Sequence, residues 1–101
     1  MHFLMFYEYA PDYLDRRGDY RTEHLKLAWQ AEARGELILA GALADPVDGA
    51  VLLFQCSTPD IAERFAAADP YVKHGLVTSH RVRPWTTVVG QGANSPVKPE
   101  V

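Results

Sequence analysis

Three consecutive stretches decide how this chain folds: Glu36-Leu37-Ile38-Leu39-Ala40-Gly41-Ala42-Leu43, then Ala44-Asp45-Pro46-Val47-Asp48-Gly49, then Ala50-Val51-Leu52-Leu53-Phe54-Gln55-Cys56. The outer two are short and almost wholly apolar, and the middle one consists largely of turn formers. They are expected to pair as an antiparallel hairpin. Upstream, Phe3 to Tyr9 reads as another strand, aromatic and stopped by Pro11-Asp12. Downstream, Leu76 to Val89 reads as the last strand, with Pro84 marking a bulge or an edge.

Two helical patterns flank the hairpin. Asp19 to Arg34, with Asp19 as N-cap and Gly35 just past the end, places Tyr20, His24, Leu27, Ala28 and Ala31 on one face. The second helix is expected to be capped by Ser57 or Thr58 with Pro59 at its first position, and its apolar side is Ile61, Ala62, Phe65 and Ala68. Residues 10–18 read as a loop. Pro70 to His74 reads as a single turn, capped by Asp69 and stopped by Gly75. The order β-α-β-β-α-β is that of an α+β, ferredoxin-like fold, a four-stranded antiparallel sheet with two helices on one face.

The hairpin strands then pose a problem. An antiparallel sheet with one wet face should alternate apolar and polar residues. Leu37-Ile38-Leu39-Ala40 and Val51-Leu52-Leu53-Phe54 do not. Two helices cover one face only, and monomers rarely tolerate a large bare apolar patch. The expected cover is a second copy, giving a two-fold homodimer through the sheet face.

Composition limits the rest. The chain has 101 residues, 48% hydrophobic and 23% charged, which fits one folded domain, here residues 1–90, followed by a flexible tail, 91–101. The net charge is −3, and Lys/Arg cluster only at Arg16-Arg17 and Arg81/Arg83, so no nucleic-acid partner is expected. Cys56 is alone, which excludes an intrachain disulfide and reads as a small buried hydrophobe. The start has no basic leader and no apolar run approaches ~18 residues, so neither a signal peptide nor a membrane span is expected, and a cytoplasmic location is. His24, His74 and His80 lack the usual ligand spacings, and there is no glycine-rich phosphate loop, nucleophile elbow or dinucleotide fingerprint. Neither metal nor cofactor is expected. His2 is placed near a mobile end, and His80 on the surface or at an interface.

Chemistry is expected at Ala68-Asp69-Pro70-Tyr71. Asp69 follows the C-terminal end of a helix, where the dipole disfavours a carboxylate, and Pro70 turns the chain away. Capping the next turn is the structural explanation of Asp69, and a core histidine bonded to backbone is that of His24. A functional pair is the alternative: His24 as general acid or base, Asp69 orienting it. Arg17 and Arg21 flank the pair and suit an anionic substrate group or the holding of Asp69 ionised, a solvated basic helix start being their structural explanation; Tyr71 either lines a pocket or simply packs. If both polar groups are there for function, His24→Gln and Asp69→Asn should each cost less than ~1.5 kcal/mol of stability.

These residues bring a resemblance into view. Arg17, Arg21 and His24-Leu25, then Gly35-Glu36-Leu37, Ala40-Gly41 and Gly49, then Asp69-Pro70-Tyr71, Gly75-Leu76 and Arg83-Pro84-Trp85, resemble the YciI-like (YCII-related) family over about residues 3–89. Ala42-Leu43 stands where the family often has Pro-Leu. The resemblance implies a dimeric α/β-barrel arrangement and His24 with Asp69 as the catalytic pair. Relatives in the wider fold act on small ring compounds. The expected function is therefore proton transfer, by elimination or isomerisation, on a small, partly apolar ring compound. The alternative is a ligand-binding or regulatory dimer without turnover.

Overall fold

The computed structural model describes residues 1–100; Val101, the last residue of the expected tail, lies outside the described residues. Four strands form one sheet: β1 (His2–Tyr9), β2 (Leu37–Ala42), β3 (Gly49–Gln55) and β4 (Val77–Trp85), in the order β2-β3-β1-β4. All neighbours are antiparallel, and β2 and β3 form the expected hairpin. The helices are α1 (Tyr13–Arg16), α2 (Arg21–Ala33), α3 (Asp60–Ala68) and α4 (Pro70–Lys73), with a 3-10 turn at Arg17–Asp19. This is the ferredoxin-like α+β fold. No helix among the described residues is long and apolar enough to cross a membrane.

Register puts Phe3 beside Phe54, Met5 beside Leu52 and Tyr7 beside Ala50. Side chains paired this way share one face of the sheet. That face is buried under Ala31 of α2, Ala62, Phe65 and Ala66 of α3, and Tyr71 of α4. The small residues let the helices approach closely. Pro84 lies on β4, an edge strand, where its missing N–H is tolerated.

The opposite face carries Leu4 beside Leu53 and Phe6 beside Val51, with Leu39 of β2 70% exposed. On β4 it is basic: Arg83 and Arg81 lie opposite Leu4 and Phe6, and the Arg81 guanidinium sits 4.9 Å from the Phe6 ring centroid. The face is thus apolar over three strands and charged on the fourth.

Several boundaries differ from the sequence reading. Residues 10–18 are not a loop throughout, because Tyr13 is buried and anchors a helical turn there. The Arg17–Asp19 turn occupies Asp19, so α2 starts later, from Tyr20, with no side-chain cap. At α3, Pro59 itself takes the cap position and neither Ser57 nor Thr58 bonds to the first turn. β4 ends at Trp85 rather than Val89. His2 is not at a mobile end: it is 7% exposed, with Nδ1 2.7 Å from Thr87 Oγ1. The segment after β4 turns back over that corner, where Asn94 donates its backbone N–H to Thr87 Oγ1 and its side-chain amide to Gln55. His80 reaches across to Glu63 of α3 at 3.1 Å. Cys56 is only half-buried, and burial pushes its thiol pKa up.

Candidate active site

The α3–α4 junction is built as Asp69-Pro70 dictates. Asp69 ends α3 with an extended backbone (ψ 121) and caps α4, its Oδ1 accepting the Tyr71 N–H at 3.0 Å. Pro70 supplies the first helical residue, and Gly75 closes the turn at φ +77, a conformation that favours glycine. The cap leaves the Asp69 carboxylate beneath α2, fully buried.

Two further donors converge on it. Tyr7, from the C-terminal half of β1, donates its hydroxyl to Oδ2 at 2.8 Å. His24, from the inner side of α2, has Nδ1 2.8 Å from Oδ1. With a carboxylate on Nδ1, the proton of a neutral imidazole belongs on Nδ1. That leaves the Nε2 lone pair available, and Nε2 has no protein partner among the described residues. The His24 ring is held flat by stacking on Tyr71, centroids 3.9 Å apart at 9°. Tyr71 in turn meets Tyr13 edge-on at 5.5 Å, and Tyr13 stacks on Tyr9 at 3.6 Å. The four tyrosines and Asp69 thus fix the imidazole from two sides.

Burial, and then the Asp69 charge, hold the Tyr7 phenol well above its ordinary pKa of 10.0. Burial is also the largest cause for Tyr9 and Tyr71, which are raised in the same way. All three remain protonated donors at neutral pH.

His24 of the pair faces a cavity of about 400 Å³ between α2 and the β2–β3 edge of the sheet, and Asp69 lies buried behind it. His24, Arg17, Arg21 and Tyr71 line it. Four of the five expected site residues thus line one cavity, and Asp69, expected to line it too, instead reaches it only through its bond to His24. Arg17 stands 5.8 Å from the Tyr13 ring centroid, and neither Arg17 nor Arg21 pairs with a carboxylate among the described residues. Tyr71 is 2% exposed with one ring face taken by His24, so it backs the imidazole. Among the described residues no three of His, Cys, Asp and Glu gather as metal ligands.

Sequence reasoning missed Tyr7, Tyr9 and Tyr13. A signal existed for two of them: Tyr7 and Tyr9 are two apart on β1 and so point to one face, and a buried tyrosine hydroxyl needs a partner. Trp29, which also lines the cavity, was not singled out, and Leu25 was noted only beside His24 in the resemblance.

Fold and site together define a ferredoxin-like α+β domain with a buried His–Asp pair at the floor of a helix–sheet cavity. Within that class the chain belongs to the YCII-related domain family, which matches residues 1–86. A protein of Haemophilus influenzae, itself uncharacterised, is 29% identical over 97 residues, covering 87% of this chain and 99% of that protein. Among solved structures, 5-chloro-2-hydroxyhydroquinone dehydrochlorinase of Burkholderia phenoliruptrix, in complex with 2,5-dihydroxybenzoquinone, superposes with a TM-score of 0.73. It is 23% identical, over 86% of this chain and 95% of that one. A NIPSNAP family protein of Agrobacterium tumefaciens gives a TM-score of 0.57 at 17% identity, over 92% and 95%. Both share the fold.

Proposed function

We propose that this protein is an enzyme that moves a proton on a small, partly apolar ring compound, in an elimination or an isomerisation. His24 is the general base or acid and Asp69 orients it and stabilises its charged form. Arg17 and Arg21 hold an anionic group of the substrate, and Tyr71 backs the ring of His24. The observation that carries this reading is the 2.8 Å His24–Asp69 bond at the floor of a cavity, with Nε2 left without a protein partner. In an elimination Nε2 takes a proton from a ring C–H. The C–H electron pair becomes the new π bond, and the leaving group departs with its own bonding pair. In an isomerisation the proton is returned at another atom. Neither course requires a cofactor.

The working form in this proposal is a homodimer closed over the Leu4, Phe6, Val51 and Leu53 face. A second reading, a ligand-binding dimer without turnover, is favoured by one observation. Three protein donors already satisfy Asp69, as a purely structural carboxylate requires.

The dehydrochlorinase of the same fold makes chlorinated hydroquinones the first compounds to try. Purified protein is mixed with chlorinated hydroquinones, phenols and lactones, and chloride release and ultraviolet spectra are followed. Turnover of at least one compound above the buffer rate supports the enzyme. A co-purified or added ligand recovered unchanged, with no rate above background across the set, selects the binding module.

A further inference from the structure

The cavity has a direction. Arg21, His24, Leu25, Ala28, Trp29 and Glu32 all line it. Their spacing is that of one helical face, so a single side of α2 forms a wall running the length of the site. The wall begins with Arg21, next to Arg17, and the positive end of the α2 dipole lies there too. Neither guanidinium has a carboxylate partner among the described residues, so both charges are free to meet a ligand. Leu25 follows one turn on, about 6 Å along the axis, and Trp29 two turns on, about 12 Å. Ile38 of β2 lines the same cavity. Trp29 is 66% exposed and Ile38 44%, two large apolar side chains left bare at this end of the cavity. Glu32 closes that end with a negative charge, which repels an anion there. His24 lies between the two ends.

We infer that the cavity takes an amphiphilic ring anion in one orientation. Its carboxylate or phenolate lies at Arg17 and Arg21, and its apolar substituent runs along α2 to Trp29, which sets the length accepted. This deepens the proposed function by naming its substrate class, and it depends on that reading only in taking the cavity as the binding site. An anion at the arginines places the ring beside His24, so reaction falls between the charged group and the apolar end.

Benzoate, its 4-methyl to 4-butyl homologues and the matching neutral benzamides are suitable probes, titrated by calorimetry into the full chain. Benzoates bind about 10-fold tighter than benzamides; Arg21→Gln reduces that ratio and Arg17→Gln with Arg21→Gln abolishes it. Each added methylene tightens binding about 4-fold until the apolar end is filled. Trp29→Ala removes this gain while leaving benzoate itself nearly unchanged. His24→Gln leaves both trends intact, so a failure of turnover with the trends preserved removes the proposed reaction and not this orientation. Benzamides binding as well as benzoates, a flat response to chain length, or no saturable binding by either series overturns the inference. So does a Trp29→Ala protein that keeps the chain-length gain but sediments as a monomer, because Trp29 then belongs to a subunit interface.

Discussion

Asp69 does two jobs with one carboxylate: it caps α4 and it holds the nitrogen of His24 that faces away from the ligand space. The two residues of the pair therefore differ in what their loss costs, although the sequence treats them alike. His24 sits on a helix flank with 18% of its side chain exposed, and Gln in its place keeps a donor within reach of Asp69. His24→Gln is expected to cost less than ~1.5 kcal/mol. For Asp69 full burial raises the expected cost above the small one read from the sequence. Asn offers one oxygen instead of two and turns a donor toward groups that are themselves donors, so Asp69→Asn is expected to cost about 2–4 kcal/mol. Denaturant melts of the two variants check this, and near-equal losses contradict it. The tyrosines add a pH signature. Tyr7, Tyr9 and Tyr71 are held above their ordinary pKa of 10.0 in the folded state. Above about pH 10 the unfolded chain releases these protons while the folded chain keeps them, so stability is full below that pH and falls as pH rises beyond it. Melting temperatures between pH 8 and 12 should drop steeply past 10, and less steeply in Tyr7→Phe.

Glycines set how closely the elements approach. Gly49 opens β3 against the Tyr7 carbonyl, and a Cβ there runs into that oxygen. Gly49→Ala is expected to push β3 off β1 beside the site and to cost about 1–3 kcal/mol, measured by denaturant melts. A neutral result means the strands have slack there. Gly41, with open space around its Cβ position, is the control. Much at this scale was legible in the sequence. The hairpin follows from two apolar runs around a turn, and the Asp69 cap of α4 follows from Asp-Pro. Helix starts were less legible. Asp19 is a fitting N-cap by residue type, but Tyr13 is pulled into the core and its neighbours Arg17–Asp19 wind into a tight turn, which uses Asp19 up. Tertiary packing outranks local preference there. The Tyr7–Asp69 bond spans 62 positions, and no local pattern announces such a meeting; only the pairing register, once known, brings β1 under α4.

Among the described residues no helix covers the second sheet face, where Leu4, Phe6, Val51 and Leu53 are half-buried, and its mixed character bears on assembly. Leu4, Phe6, Val51 and Leu53 form an apolar centre, with Arg81 and Arg83 at one side. Two copies packed by a two-fold axis can bury the centre and leave the arginines at the rim, where charge is tolerated. Leu53→Asp is therefore expected to turn a dimer into a monomer in sedimentation velocity, with a lower melting temperature. A wild-type protein that is a folded monomer at micromolar concentration contradicts the dimer. In the proposed function the His24–Asp69 pair transfers protons within this architecture, and that role is open to direct measurement. It is tested most directly by product formation under single-turnover conditions, wild type against His24→Gln, using any ring compound the protein is found to convert. The account predicts a rate at least ~100-fold lower in His24→Gln, with the melting temperature and ligand affinity nearly unchanged. An unchanged rate in His24→Gln, in protein shown to be folded and ligand-bound, contradicts it.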